Sequence, residues 1–165
     1  MSKIIWITGI SGTGKTTLAK FYLKYLKNFI WIDGDKFREL FLNDLGYTLR
    51  DRNNNAERII NFSKFLYDQN ISLIISANLT SEKYKKIIKK RFKNIIHINI
   101  KVELSKLIKR DKKSIYNKRK NVVGKDIKIL KNSKLCDFEI MNNGSKKELL
   151  NHGKKLLKEI KKIKS

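Results

Sequence analysis

The sequence predicts an α/β fold, a five-stranded parallel sheet with helices on both faces, and three observations carry that expectation. Apolar runs of strand length alternate with stretches of helical pattern along the 165-residue chain. The runs are near-continuously apolar, as strands buried on both faces require. The first of them opens directly into Gly9-Ile10-Ser11-Gly12-Thr13-Gly14-Lys15-Thr16, a complete G-x-x-x-x-G-K-[ST] loop between a strand and a helix. No linker or internal repeat divides the chain, so residues 1–165 read as one domain.

The elements follow in order. Lys3–Thr8 is the first strand, and Lys15–Leu26 is the helix that the glycine-rich loop opens. Phe29–Asp33 is a strand ending in acidic residues, followed by helical patterns over Phe37–Leu42 and Asn53–Tyr67. Ser72–Ala77 and Ile95–Ile100 are strands flanking the helix Glu82–Arg91, for which Ser81 is a plausible N-cap. After a short helix over Leu104–Lys109, the stretch of about 109–131 is dense in charge with little periodicity and is expected as a mobile basic lid. Phe138–Asn142 is the last strand, and Asn142-Asn143-Gly144 turns the chain into Lys146–Ile163, with Ser145 as N-cap. In an open parallel sheet ligands bind beyond the carboxyl ends of the strands, which singles out Asp33, Asp35, Ala77 and Asn78.

The loop is the most specific signal. Its glycines let backbone N–H groups close around phosphate oxygens at a helix N-terminus. Lys15 is placed to reach the β/γ-phosphates, and the Thr16 hydroxyl to ligate Mg²⁺. The chain is therefore expected to handle a nucleoside triphosphate on a P-loop NTPase fold.

Composition narrows the class. No apolar run spans a bilayer and no signal peptide precedes the first strand, so no membrane is expected and the location reads as cytoplasmic. The lone Cys136 excludes an internal disulfide. A formal charge of +24 raises nucleic acid as a partner. Against it, lysine, asparagine and isoleucine abound everywhere and proline is absent, the mark of an AT-biased coding background. Lys83, Lys85, Lys86, Lys89 and Lys90, and the lysines from Lys146 to Lys164, lie on amphipathic helices as solvated faces. The charge is better used to draw polyanionic nucleotides to the cleft.

Two further groups carry chemistry. In Asp33-Gly34-Asp35, one carboxylate can hold Mg²⁺ and a second can orient or deprotonate an attacking hydroxyl. The competing reading is an N-cap and a solvated turn. In Asp51-Arg52-Asn53-Asn54-Asn55-Ala56-Glu57-Arg58, the side chains of Arg52, Asn55 and Arg58 can share a helix face and suit a phosphate or sulfate. A surface salt-bridge cluster with Asp51 and Glu57 explains the spacing equally well.

The ordered series G-x-S-G-x-G-K-T, D-G-D-x-x-R, D-L-G-[FY]-[ST], D-R-x-x-N-x-x-R and R-D-x-K closely resembles the adenylylsulfate kinases over residues 3–116. It includes Asp44-Leu45-Gly46-Tyr47-Thr48 and Arg110-Asp111-Lys112-Lys113. The resemblance implies transfer of the ATP γ-phosphoryl group, with Mg²⁺, to the ribose 3′-hydroxyl of a small nucleotide acceptor carrying an activated anion. It implies an ATP site at Gly9, Ser11, Gly12, Thr13, Gly14, Lys15, Thr16, Thr17 and Arg110, with Thr16 and Asp33 at the metal. Lys15, Asp33 and Asp35 would be catalytic, with Asp35 orienting the hydroxyl. The acceptor would lie on Asp35, Arg38, Tyr47, Arg52, Asn55 and Arg58, with Lys113 and Ile115 on the closing lid. A homodimer is also implied.

The departures cluster on the acceptor side. Val122-Val123-Gly124 stands where the family has a phenylalanine-threonine-glycine segment, so Val122 is expected to replace an aromatic wall of the base pocket. The serine-proline usual at the third strand's end is replaced near Asn78-Leu79, which favours direct in-line transfer over a phosphoserine intermediate. A pyrimidine suits the altered slot, so the acceptor is read as cytidine diphosphoramidate, as in capsule phosphoramidate synthesis, with adenylylsulfate as the alternative. A polynucleotide kinase or nucleic-acid-binding ATPase is a remoter one. A GTP-binding switch is disfavoured, because Asn117-Lys118-Arg119-Lys120 lacks the aspartate of N-K-x-D.

Overall fold

The computed structural model describes residues 2–79, 81–110, 122–123, 126 and 136–163. The elements run β1 (Ile4–Thr8), α1 (Lys15–Tyr25), β2 (Phe29–Asp33), α2 (Gly34–Glu39), α3 (Leu49–Asp68) and β3 (Ser72–Ser76). They continue with α4 (Glu82–Arg91), β4 (Ile95–Lys101), α5 (Leu104–Lys109), β5 (Phe138–Met141) and α6 (Lys146–Lys162). The five strands form one sheet in the order β2-β3-β1-β4-β5, with every neighbouring pair parallel. The expected α/β architecture is what the chain adopts.

Alternate residues of each strand supply the two faces. Ile4, Trp6, Ile32, Leu73 and Ile75 pack on one side with Ala56, Ile59 and Ile60 of α3 and Tyr84 and Ile88 of α4. Ile5, Ile7, Ile74, Ile96, Ile98 and Ile100 pack on the other with Leu18, Ala19 and Tyr22 of α1 and Leu149, Leu156, Leu157 and Ile160 of α6. This double burial explains why β1, β3 and β4 read as unbroken apolar runs, while the edge strands β2 and β5 are partly exposed.

Two helices start earlier than their apolar patterns suggest. The α2 helix begins at Gly34 because Asp33 is its N-cap, its Oδ1 accepting from the backbone N–H groups of Asp35 (3.1 Å) and Lys36 (3.3 Å). The α3 helix begins at Leu49 because Thr48 and Asp51 form a reciprocal capping box. Ser145 caps α6 in the same way with Glu148. Ser81 sits at the start of α4 without a side-chain cap. None of the described helices is long and apolar enough to cross a membrane.

Candidate active site

Chain geometry forces the glycine-rich loop into its shape. Gly9 has φ +148°, and a Cβ there would lie 2.6 Å from the Ile100 carbonyl oxygen. Gly14 has φ +101°, and its Cβ would lie 2.6 Å from Leu149 Cδ2. Only glycine fits either position. Inside the loop, the buried Thr13 hydroxyl donates to the Ile10 carbonyl at 2.9 Å, and the Asn142 side-chain amide donates to the Thr13 carbonyl at 2.9 Å. Lys15 Nζ donates to the Ile10 carbonyl at 3.0 Å, so its ammonium lies folded back over the loop.

The second strand delivers Asp33 beside this loop. Asp33 Oδ2 accepts from the Thr16 hydroxyl at 3.0 Å and from the Ser76 hydroxyl at 2.9 Å, while Oδ1 caps α2. The capping and functional readings of Asp33 are therefore compatible, one oxygen for each. A hydroxyl and a carboxylate oxygen at this separation are the hard donors that Mg²⁺ takes alongside nucleotide phosphates, so the residues fit that ion. Asp35 is exposed on the first turn of α2.

Electrostatics ties the two strand ends together. Burial lowers the pKa of Lys15, while the carboxylates of Asp35 and Asp33 oppose that shift and Arg52 reinforces it. Burial and then Arg38 lower the pKa of Arg52, with Tyr47 and Asp35 opposing. The cleft thus holds cations close enough to disfavour one another, a site that a polyanion relieves.

Arg38, Tyr47 and Arg52 come together as expected. Arg38 is 5% exposed, and its Nη1 donates to the carbonyls of Leu45 (3.0 Å) and Gly46 (2.7 Å). Its guanidinium lies 4.9 Å from the centre of the Tyr47 ring, and that of Arg52 lies 5.3 Å away. Arg52 Nε donates to the Tyr47 carbonyl at 2.9 Å. Asn55, 7% exposed, donates weakly to the Gly34 carbonyl at 3.4 Å. Arg38 Nε and Asn55 Oδ1 are buried without a hydrogen-bond partner among the described residues, the state of groups that a ligand completes.

Other expected residues are placed differently. Arg58 makes a bidentate ion pair with Asp44 (2.8 and 2.7 Å) and stacks 4.8 Å from the Phe41 ring centre. The salt-bridge reading is thus right for Arg58 but with another partner. Asp51 closes a helix cap, and Glu57 accepts from the Tyr84 hydroxyl at 2.6 Å. Arg110 Nη1 donates to the Asn142 carbonyl at 2.8 Å, and its Nη2 donates to that of Gly144. Val122 is 3% exposed and packs with Ile10, Leu107 and Val123, so its side chain is committed to the underside of the glycine-rich loop. Lys113, Ile115 and most of the expected lid lie outside the described residues.

Three residues escaped the sequence reading: Ser76, Trp31 and Asn142, which join the site through hydrogen bonds across the fold. Ser76 and Asn142, polar residues at strand ends, carried a visible signal of position but not of partner.

Because Arg38 braces the 45–46 backbone and lies beside Tyr47, Arg38→Ala should raise the acceptor KM about 30-fold, within the cost of removing hydrogen bonds from a charged group. The ATP KM should change less than about threefold. Steady-state kinetics with each substrate varied in turn checks this.

Comparison with known proteins identifies the family. A model of the adenylylsulphate kinase family matches residues 1–131. The cytidine diphosphoramidate kinase of Campylobacter jejuni is 38% identical over 134 residues, covering 75% of this chain and 78% of that protein. The adenylyl-sulfate kinase of Buchnera aphidicola from Acyrthosiphon pisum is 28% identical over 95% of this chain and 80% of its own. A probable adenylyl-sulfate kinase of Pseudomonas aeruginosa is 30% identical over 70% of this chain and 56% of its own. The APS kinase of Mycobacterium tuberculosis, solved with AMPPNP and APS, shares the fold with a TM-score of 0.80 at 23% identity, covering 95% of this chain and 98% of that one. The chain belongs to the adenylylsulphate kinase family and is a phosphotransferase.

Proposed function

We propose that this enzyme transfers the γ-phosphoryl group of ATP to the ribose 3′-hydroxyl of a nucleotide-activated anion, and that its acceptor is cytidine diphosphoramidate. The acceptor assignment rests on one observation. The Campylobacter kinase named for that compound is 38% identical over three quarters of the chain, whereas adenylyl-sulfate kinases, those of Buchnera, Pseudomonas and Prochlorococcus among them, stand at 28% to 33%.

The loop backbone and Lys15 hold the β- and γ-phosphates, while Arg110 closes the ATP side. Thr16 and Asp33 would hold Mg²⁺, which supplies charge neutralisation on the phosphates. Asp35 orients the acceptor hydroxyl, whose oxygen bonds to the γ-phosphorus as the bond to the β-phosphate bridging oxygen breaks. ADP leaves with that electron pair, and the hydroxyl proton passes to Asp35 or to water. Tyr47 offers a ring to the base, and Arg38, Arg52 and Asn55 hold the acceptor's anionic part. Arg58 joins them by exchanging Asp44 for the ligand.

Acceptor-dependent ADP release, measured with both compounds at matched concentrations, decides the acceptor. The expected result is a kcat/KM at least about tenfold higher for cytidine diphosphoramidate, within reach of pocket differences of this kind. A preference for adenylylsulfate would instead make the protein an enzyme of sulfate activation, the second reading that the family match supports.

A further inference from the structure

Asp33 does not meet Thr16 unaided. Ser76 lies directly opposite Asp33 in the β2–β3 ladder, and Trp31 opposite Ile74, so Trp31, Asp33 and Ser76 share one face of the sheet. From its diagonal position Trp31 reaches Ser76, its indole N–H donating to Ser76 Oγ at 3.0 Å. Ser76 in turn donates to Asp33 Oδ2 at 2.9 Å, the oxygen that also accepts from Thr16 at 3.0 Å. An indole N–H can only donate, so the direction of the chain is set. It leaves the serine proton pointing at the carboxylate. One helix binds both ends: α1 places Thr16 on Asp33 and, one turn on, Lys20 Nζ 5.6 Å from the Trp31 ring centre.

We propose that Trp31 and Ser76 are positioning residues that hold the Asp33 carboxylate against Thr16 for the metal of Mg-ATP. The proposal rests on the reading of Asp33 and Thr16 as the Mg²⁺ site. Both act through Asp33. Their effect is on the orientation of an anionic ligand oxygen, as outer partners of metal ligands act elsewhere.

The chain's two tryptophans give a readout independent of turnover. Trp6 Nε1 is tied to the Ala77 carbonyl at 3.0 Å on the opposite face of the sheet from this relay. In ¹⁵N-labelled protein saturated with ADP, titration with Mg²⁺ should move the Trp31 indole resonance, identified by its loss in Trp31→Phe, and leave that of Trp6 in place. Ser76→Ala should abolish the movement and weaken Mg²⁺ binding about tenfold, the lower end for loss of an outer partner. Ser76→Thr should restore both. Trp31→Phe, which keeps the half-buried ring and removes only the donor, should weaken Mg²⁺ about threefold, a smaller share of the same effect. It also carries the test should Ser76→Ala fail to fold. A purely structural role predicts a lower melting temperature with unchanged Mg²⁺ affinity in both variants. That result, with Asp33→Asn still weakening Mg²⁺, overturns the relay alone. Unchanged affinity in Asp33→Asn overturns the metal-site reading and the relay with it.

Discussion

Replacing Lys15 by alanine is expected to lower kcat/KM for Mg-ATP about 10²- to 10³-fold, the cost of removing one preorganised donor to developing charge. Stability should move the other way. Burial makes the Lys15 ammonium less favourable in the folded chain than in the unfolded one, and Asp35 and Asp33 only partly offset that effect. The sign follows from linkage. A folded pKa below the unfolded value means the penalty is fully present below the folded pKa and disappears as pH rises from there towards the unfolded one. Lys15→Met, which retains the packed stem, should therefore melt at or above the wild-type temperature at pH 7. Its advantage should shrink through the alkaline range. Thermal melts of both proteins across pH 7–10, beside the kinetic assay, check this. Wild-type turnover in Lys15→Ala would remove the ATP-site assignment.

Asp35→Asn is expected to reduce kcat about 10²- to 10³-fold, within the range for a group that positions or accepts a transferred proton. The ATP KM should change little, and the exposed position of Asp35 should leave folding intact. A second consequence separates this loss from general damage. Asp35 is the carboxylate that most strongly favours the Lys15 ammonium. Its removal should lower the Lys15 pKa further and move the alkaline limb of the kcat profile to lower pH. Residual activity with an unmoved limb would show that Asp35 and Lys15 do not work in one site.

The strands were legible, β1, β3 and β4 because burial on both faces leaves an unambiguous signature and the edge strands β2 and β5 because their runs stay largely apolar: all five fall within a residue or so of their expected limits. The phosphate loop was legible for a different reason, since its glycines are demanded by local backbone geometry. Helix starts were harder. Thr48 and Asp51 form a capping box with an aspartate at its third position, where glutamate or glutamine is the more familiar signal, and α3 accordingly begins before its apolar stripe. Side chains joined across strands were not legible at all. Ser76 meets Asp33 only once the β2–β3 register is known, and Arg58 finds Asp44 across a loop. Val122 belongs under Ile10 and Leu107 for a reason that no local pattern carries, since the contact joins three distant segments.

The glycine-rich loop is also buttressed from the far end of the chain. Leu149 fills the space that a side chain on Gly14 would take, Asn142 holds the Thr13 carbonyl, and Arg110 anchors to the carbonyls of Asn142 and Gly144. Residues 142–149 lie outside the span matched by the family model. A fragment ending at 131 would keep every motif of the nucleotide site yet lose the props that shape it. In this protein the motif is therefore not a portable module: transplanted or truncated without β5 and the first turn of α6, it would carry the right letters on a slack loop.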